Sequence, residues 1–294
     1  MNHPTGFPAM QTIASRLWSE TSWWHPGGLA WQFATEQHPG SIRTWGDHAW
    51  AWMYQPDVLM LQVSPEHADA APEIIAWFDD TNTGTAPRVE VADGNDAVID
   101  ALRDAGYAPL ADEPFGLDMR ITVAGATDPT LPAGYVLRTG RDVASEILVA
   151  AHRAAWVPAD LPYAAGYEPN VAPGATSSFS LDKHARARAD KYYAPERDLV
   201  IVTNDGEPAA CCNVWLDPVT GAAEIEPLGV SKDHRRRGLA QALCHAAVAA
   251  VAGAGGSQVV IHPRGDDAYP APRAAYAAAG FRQVNRTRTY GKSV

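Results

Sequence analysis

Apolar and polar positions follow two rhythms along this chain, one of period two and one near 3.6. Ala223-Glu224-Ile225-Glu226-Pro227-Leu228-Gly229-Val230 predicts a strand, and strict alternation puts Glu224, Glu226, Leu228 and Val230 on one face. Leu239, Leu243, Ala247 and Val251 recur along one face of a helix over 239–251, which the glycines at 253, 255 and 256 stop. A strand over 258–262 and a helix over 270–279 follow, the latter closed by Gly280 with Phe281 packing back beneath it. Upstream, the pattern predicts a strand over 135–139, a helix over 141–156, and a hairpin of 198–204 with 209–216 around Asp205-Gly206. Residues 157–195, with Pro158, Pro162, Pro169, Pro173 and a basic patch at 183–191, read as a long irregular stretch of the kind that is functional or mobile.

The first part of the chain echoes the second. A strand over 57–65 parallels 224–231, with Val63 answering Val230. A helix over 96–105 ends in Gly106-Tyr107 as the later one ends in Gly280-Phe281, and each is followed by a strand, 116–123 and 281–290. Asp128-Pro129-Thr130-Leu131-Pro132 reads as the linker between copies over 1–130 and 131–294. Strands alternating with helices in both copies make the fold class α/β, in two tandem domains.

Between the strand ending at Val230 and the helix starting at Leu239 lies Arg235-Arg236-Arg237-Gly238-Leu239-Ala240. Strand, glycine turn and helix in that order gather free backbone N–H groups at one point, and the arginines flank it, which makes an anion cradle. The longer glycine spacing and Lys-Ser/Thr pair of a P-loop are absent, as are the further glycines of a dinucleotide fingerprint. The segment does match R-x-x-G-x-A, and with its flanking strand and helix it resembles the acyl-CoA pyrophosphate loop of the GNAT acyltransferase superfamily. Tyr276-Ala277-Ala278-Ala279-Gly280-Phe281 is similar to the family's Y-x-x-x-G-F signature. One departure is Tyr269, which stands seven residues before Tyr276, where members often carry Asn.

The resemblance implies a tandem GNAT chain, each domain a twisted mixed sheet flanked by helices, with acetyl-CoA as co-substrate and no metal. It places cofactor contacts at Leu228, Gly229, Val230, Arg235, Arg236, Arg237, Gly238, Leu239, Ala240 and Gln241, and the catalytic glutamate at Glu224. In the first copy Ala68, Ala71 and Glu73 stand where the second has Arg235, Gly238 and Ala240. An acid without glycine or arginine would repel a pyrophosphate, so the first copy is expected to have lost cofactor binding.

The chemistry needs a polarised thioester, a neutral amine and a protonated leaving thiolate. An alkyl amine of pKa near 10.4 is neutral in about one part in a few thousand at pH 7, so a base must strip it. Glu224 is the candidate base, Glu226 the alternate base or amine anchor, Tyr276 the acid, and the Val230 N–H, left free where parallel strands splay, the carbonyl's partner. The expected reaction is acetyl transfer to a primary amine of a small molecule. Rival readings are acylation of a cysteinyl amine in low-molecular-weight thiol assembly, and a non-catalytic acyl-CoA-binding or interaction protein.

Composition trims the partners. Residues 1–130 carry 5 Lys and Arg against 18 Asp and Glu, a net of −13, whereas residues 131–294 carry 18 against 16, a net of +2. That balance argues against nucleic acid, and the acidic half reads first as solubility and, on a sharper reading, as attraction of a cationic acceptor. No apolar run approaches a membrane span and the first residues lack a leader pattern, so the expected location is cytoplasmic. Cys211, Cys212 and Cys244 make neither a disulfide framework nor a metal site, and the histidines lack zinc-ligand spacing. Eight of the ten tryptophans lie in residues 1–80, read as core and interdomain packing ahead of an aromatic acceptor pocket.

Overall fold

The computed structural model describes residues 6–19, 22–35, 40–111, 113–126 and 128–292. The leader reading rests partly on residues 1–5, which lie outside them. The first half runs α1 (Phe7–Arg16), α2 (Pro26–Thr35), β1 (Ile42–Trp45), β2 (Ala49–Gln55), β3 (Val58–Val63), α3 (Ala70–Thr81), β4 (Arg88–Ala92), α4 (Asp96–Asp104), β5 (Ala108–Pro109) and β6 (Leu117–Thr122). The second runs β7 (Tyr135–Thr139), α5 (Ser145–Ala155), α6 (Leu181–Arg188), β8 (Asp198–Thr203), β9 (Pro208–Leu216), β10 (Ala222–Val230), α7 (Leu239–Gly253), β11 (Gln258–Ile261), α8 (Ala271–Ala278) and β12 (Arg282–Gly291).

One continuous sheet carries both halves, in the order β1-β2-β3-β4-β12-β6-β11-β10-β9-β8-β7, with β5 added beside β12. Its pairs are antiparallel except β3 with β4 and β10 with β11. The halves trade strands at the join: β6 pairs with β11 and β12, while the far end of β12, Thr287 to Gly291, pairs with β4. The loop between β6 and β7 holds the proline-bearing linker, and the sheet runs on across it.

Separate apolar clusters pack the halves. Leu239, Leu243, Ala247 and Val251 of α7 lie against Cys212, Val214, Ala223 and Ile225 of the sheet, as the helical spacing requires. Ile74, Ile75 and Phe78 of α3 and Val98 and Leu102 of α4 pack on β2 to β4. Trp50 and Trp52 are fully buried under α1, and Trp31 of α2 joins Val149, Phe179 and Trp215 of the second half. All three cysteines are free and buried, and burial pushes their thiols up, Cys244 to about 12. Among the described residues no helix is long and apolar enough to cross a membrane.

Three readings need correction. The tryptophan-rich start, given no elements from its pattern, forms α1 and α2. Inside the stretch read as irregular, Leu181–Arg188 is a helix, whose charged sequence shows little apolar rhythm but whose first turn is capped by Ser180 Oγ accepting from Lys183 N–H at 3.3 Å. Strict alternation also fails within β10. Ile225 faces Val214 but Leu228 faces Cys212, so Glu226 and Pro227 share one partner position in a bulge. Glu224 therefore points away from α7, whereas Leu228 and Val230 point towards it.

Candidate active site

Parallel pairing of β10 with β11 runs from Ala222 with Gln258 to Glu224 with Val260 and goes no further. Pro227 has no N–H to offer a ladder, and the bulge turns the rest of β10 away. The strands splay and open a cavity of about 490 Å³. Glu226 to Val230 form one wall, Ile261 to Arg264 the other, the start of α7 and Tyr276 of α8 the floor, and Trp156 closes one side. Beyond the bulge, Ser231 N–H donates to Ala209 O. Antiparallel phase then directs the N–H groups of Leu228 and Val230 away from β9, into the splay.

The expected anion cradle lies at the mouth. Gly238 has φ +81°, a left-handed conformation favouring glycine, and α7's first backbone bond is Ala242 N–H to Gly238 O. The N–H groups of Leu239, Ala240 and Gln241 precede that bond and have no partner within the helix. Gln241 Nε2 donates to Ala278 O at 3.1 Å, tying α7 to α8. The three arginines, expected to act as a phosphate-binding group, have different places. Arg235 donates to the carbonyls of Val230 (3.0 Å), Ala155 (3.4 Å) and Asp160, so it braces the cavity wall. Arg236, itself at φ +61°, is exposed on the cavity lining. Arg237 lies off the lining and reaches back to Asp233 O at 3.4 Å.

The two glutamates also part company. Glu224, expected to face the reacting groups, is 5% exposed and lies behind the cavity wall, under α2. A Cβ on Gly28 would overlap its carboxylate, so a larger residue there would have to push the Glu224 side chain aside. Glu224 Oε1 accepts from His262 Nδ1–H at 2.9 Å. Burial works against a charged His262, but the bond to Glu224 and the charges of Glu224 and Asp118 outweigh it and raise its pKa. Asp118 in turn holds Arg120 at 2.6 Å, and Trp23 packs on His262 with ring centres 4.1 Å apart and planes tilted by 32°. Neighbouring His25 is held neutral by burial; its Nδ1 accepts from Gly27 N–H at 3.1 Å and its Nε2–H donates to Ala222 O at 3.2 Å.

Glu226 lines the cavity, and burial together with the neighbouring Glu224 pushes its carboxyl up to about 8. Tyr276 lines it too, 6% exposed, its phenol pushed up by burial and without a hydrogen-bond partner among the described residues. Of the expected residues, the cavity gathers Glu226, Tyr276, Leu228, Gly229, Val230, Arg235, Arg236, Gly238, Leu239, Ala240 and Gln241, and leaves out Glu224 and Arg237. Sequence reasoning missed His262, Trp156 and the reach of Trp23 and His25 into the second half. His262 carried one usable signal, a polar ring directly after the apolar run of β11.

Residues 170–281 match the model of the Acetyltransferase (GNAT) family. Among solved structures, a GCN5-related N-acetyltransferase from Sphaerobacter thermophilus aligns over 84% of this chain and 76% of its own, at 18% identity and TM-score 0.60. A tandem GNAT protein from the clavulanic acid biosynthesis pathway aligns over 98% and 93%, at 13% identity and TM-score 0.59. A GCN5-related N-acetyltransferase from Kribbella flavida aligns over 90% and 95%, at 16% identity and TM-score 0.50. At these identities the likeness is one of fold. No curated protein sequence matches the chain.

Proposed function

On the premise that residues 170–281 are a GNAT-family domain within a chain of tandem GNAT fold, we propose that the protein transfers an acetyl group from acetyl-CoA to a primary amine of a small molecule. One observation carries the reading: a single cavity runs from the free N–H groups opening α7 to an ionisable carboxyl and a phenol inside the splay. The pyrophosphate would sit on the N–H groups of Leu239 to Gln241 beside Arg236, where the helix dipole favours an anion. The thioester carbonyl would point at the Val230 N–H, and its charge as the amine attacks would be met there.

Glu226 is the base in this reading, because it lines the cavity and Glu224 does not. A carboxylate whose conjugate acid has a pKa of about 8 is a stronger base than an ordinary one, closer to the amine it must deprotonate. As the N–C bond forms and the C–S bond breaks, one amine proton passes to Glu226 and the Tyr276 O–H serves the departing thiolate. For an unshifted phenol that donation is uphill by about 1.5 pK units, roughly 2 kcal/mol, so Tyr276 acts by hydrogen bonding as charge develops on sulfur. Glu224 holds His262 and the wall behind. The acceptor is a cationic amine, drawn by the net of −13 on residues 1–130.

Titration calorimetry with acetyl-CoA, followed by a thiol-release screen over an amine panel, tests the reading. Binding of one acetyl-CoA per chain and amine-dependent thiol release are expected. Absence of binding removes the proposal. Binding with no release for any amine turns it to the acyl-CoA-binding alternative.

A further inference from the structure

The parallel pair of the first half opens as well. β3 and β4 pair only at Val58 with Arg88 and Leu59 with Val89, and beyond them lies a second pocket of about 80 Å³. Its walls include Trp23, Trp24, Gln62, Glu90 and Asn95. Trp23 stands between it and the large cavity, lining the small pocket and packing on His262, which lines the large one.

Glu90 is the one ionisable residue among the described residues lining this pocket. Its Oε1 accepts from Thr287 Oγ1–H at 2.5 Å, and that hydroxyl oxygen accepts from Gly116 N–H at 2.8 Å, so this side of the carboxyl is fixed. Its second oxygen makes no hydrogen bond among the described residues. Gln62 is fully occupied, accepting from Trp50 Nε1–H at 2.9 Å and donating to Leu17 O and Ser22 Oγ, so it offers a ligand little. Two indoles at 87° with centres 6.4 Å apart, beside a carboxyl with a free oxygen, form a surface that repels anions and attracts cations through ring faces and charge together. At roughly 10 to 15 Å³ for each water-sized position, the volume holds about five to eight such positions, enough for a head group and far too little for a nucleotide.

We propose that this pocket is a second ligand site, separate from the acyl-transfer cavity, that takes the head of a small organic ammonium ion, with Glu90 as counter-ion and Trp23 and Trp24 as walls. Burial pushes the Glu90 carboxyl upward, and a cation beside it would pull it back down. The site does not depend on the acyl-transfer reading, since it needs neither acetyl-CoA nor a nucleophilic amine.

Titration calorimetry of the full chain with tetramethylammonium and choline chlorides tests it, because a quaternary nitrogen cannot be acylated. Saturable binding of at least one of them, once per chain and in the millimolar range fitting so small a ligand, is expected. 3,3-Dimethyl-1-butanol, the uncharged analogue of choline, should bind at least tenfold more weakly, and Glu90→Gln should lose at least tenfold while Glu226→Gln binds unchanged. No saturable binding overturns the proposal, as does equal affinity for the uncharged analogue or for Glu90→Gln. Loss in Glu226→Gln instead would put the cation in the large cavity and equally overturn it. If Glu90→Gln does not fold by circular dichroism, Ala92→Leu, which fills the pocket from β4, replaces it under the same criteria.

Discussion

The two parallel-strand openings are built alike and equipped differently. Each begins where a short run of parallel pairing ends, after two registered pairs in the first half and three in the second. Yet one opens to about 490 Å³ and the other to about 80 Å³. In the second half the helix after the opening starts at Gly238 with no acid in its first turn; in the first half α3 carries Glu73 there. A first-turn carboxylate meets the helix's own positive end and opposes a second anion. The splay is thus a property of the sheet, while the proposed anion site rests on a few residues at the start of α7 that α3 does not share.

The sharpest way to break this contrast is at Gly238. Gly238→Asp puts a carboxylate and a left-handed strain where the pyrophosphate would lie, and should lower acetyl-CoA affinity at least about 10²-fold, near 3 kcal/mol. Gly238→Asn, which tolerates the same backbone without the charge, should lose far less. The converse graft, Glu73→Gly, should leave calorimetric stoichiometry at one per chain, because the smaller opening has no room.

The split between the two glutamates can be broken as well. Glu226→Gln and Tyr276→Phe should each lower turnover by about 10² to 10⁴ fold with acetyl-CoA affinity nearly intact. In the wild type the carboxylate-dependent rise of kcat/KM should centre near pH 8, and Glu226→Gln should lack it, gaining only as the free amine deprotonates. Retention of that limb in the variant would return the base to another group. Glu224→Gln should act on stability first, since it takes from the buried His262 ring the carboxylate that its Nδ1–H donates to, at a cost of about 1 to 3 kcal/mol seen as a lower Tm.

Stability sharpens the same pair through its sign. Because the folded-state pKa of Glu226 is raised, the folded chain holds that proton more tightly than the unfolded one. Its contribution is full below the ordinary carboxylate range and is lost as pH climbs towards about 8. Glu226→Gln should therefore melt above the wild type at pH 8 and higher, and a variant melting below it there would contradict the assignment. The smallest effect concerns charge steering. The acidic first half predicts that kcat/KM for a cationic acceptor falls as salt rises while kcat barely moves, and indifference to salt would remove the electrostatic argument.

Much of this was legible in the sequence because periodicity reports burial. The α7 stripe, the β8 and β9 hairpin and the Gly238 turn lie where spacing and turn residues put them. Position along a strand was less legible, since the bulge at Glu226 and Pro227 changes which face Glu224 meets and no alternation rule counts a residue that shares its partner. Contacts between distant segments were silent. Nothing local announces that Gly28 makes room for the Glu224 carboxylate, or that Trp23 lies on His262. Arg235 illustrates the same limit: a motif names an arginine, but only the fold shows it spent on carbonyls.

The exchange of strands at the centre of the sheet also sets the order in which the protein can be finished. β4 waits for the end of β12, and Asp93 beside it for Arg288, 195 residues later in the chain. At synthesis rates of about 5 to 20 residues per second, that is a wait of roughly 10 to 40 s with one edge of the first sheet unpaired. During that interval the ribosome-bound first half exposes strand backbone that chaperones or neighbouring nascent chains can reach. The half of the molecule made first is the last to be closed.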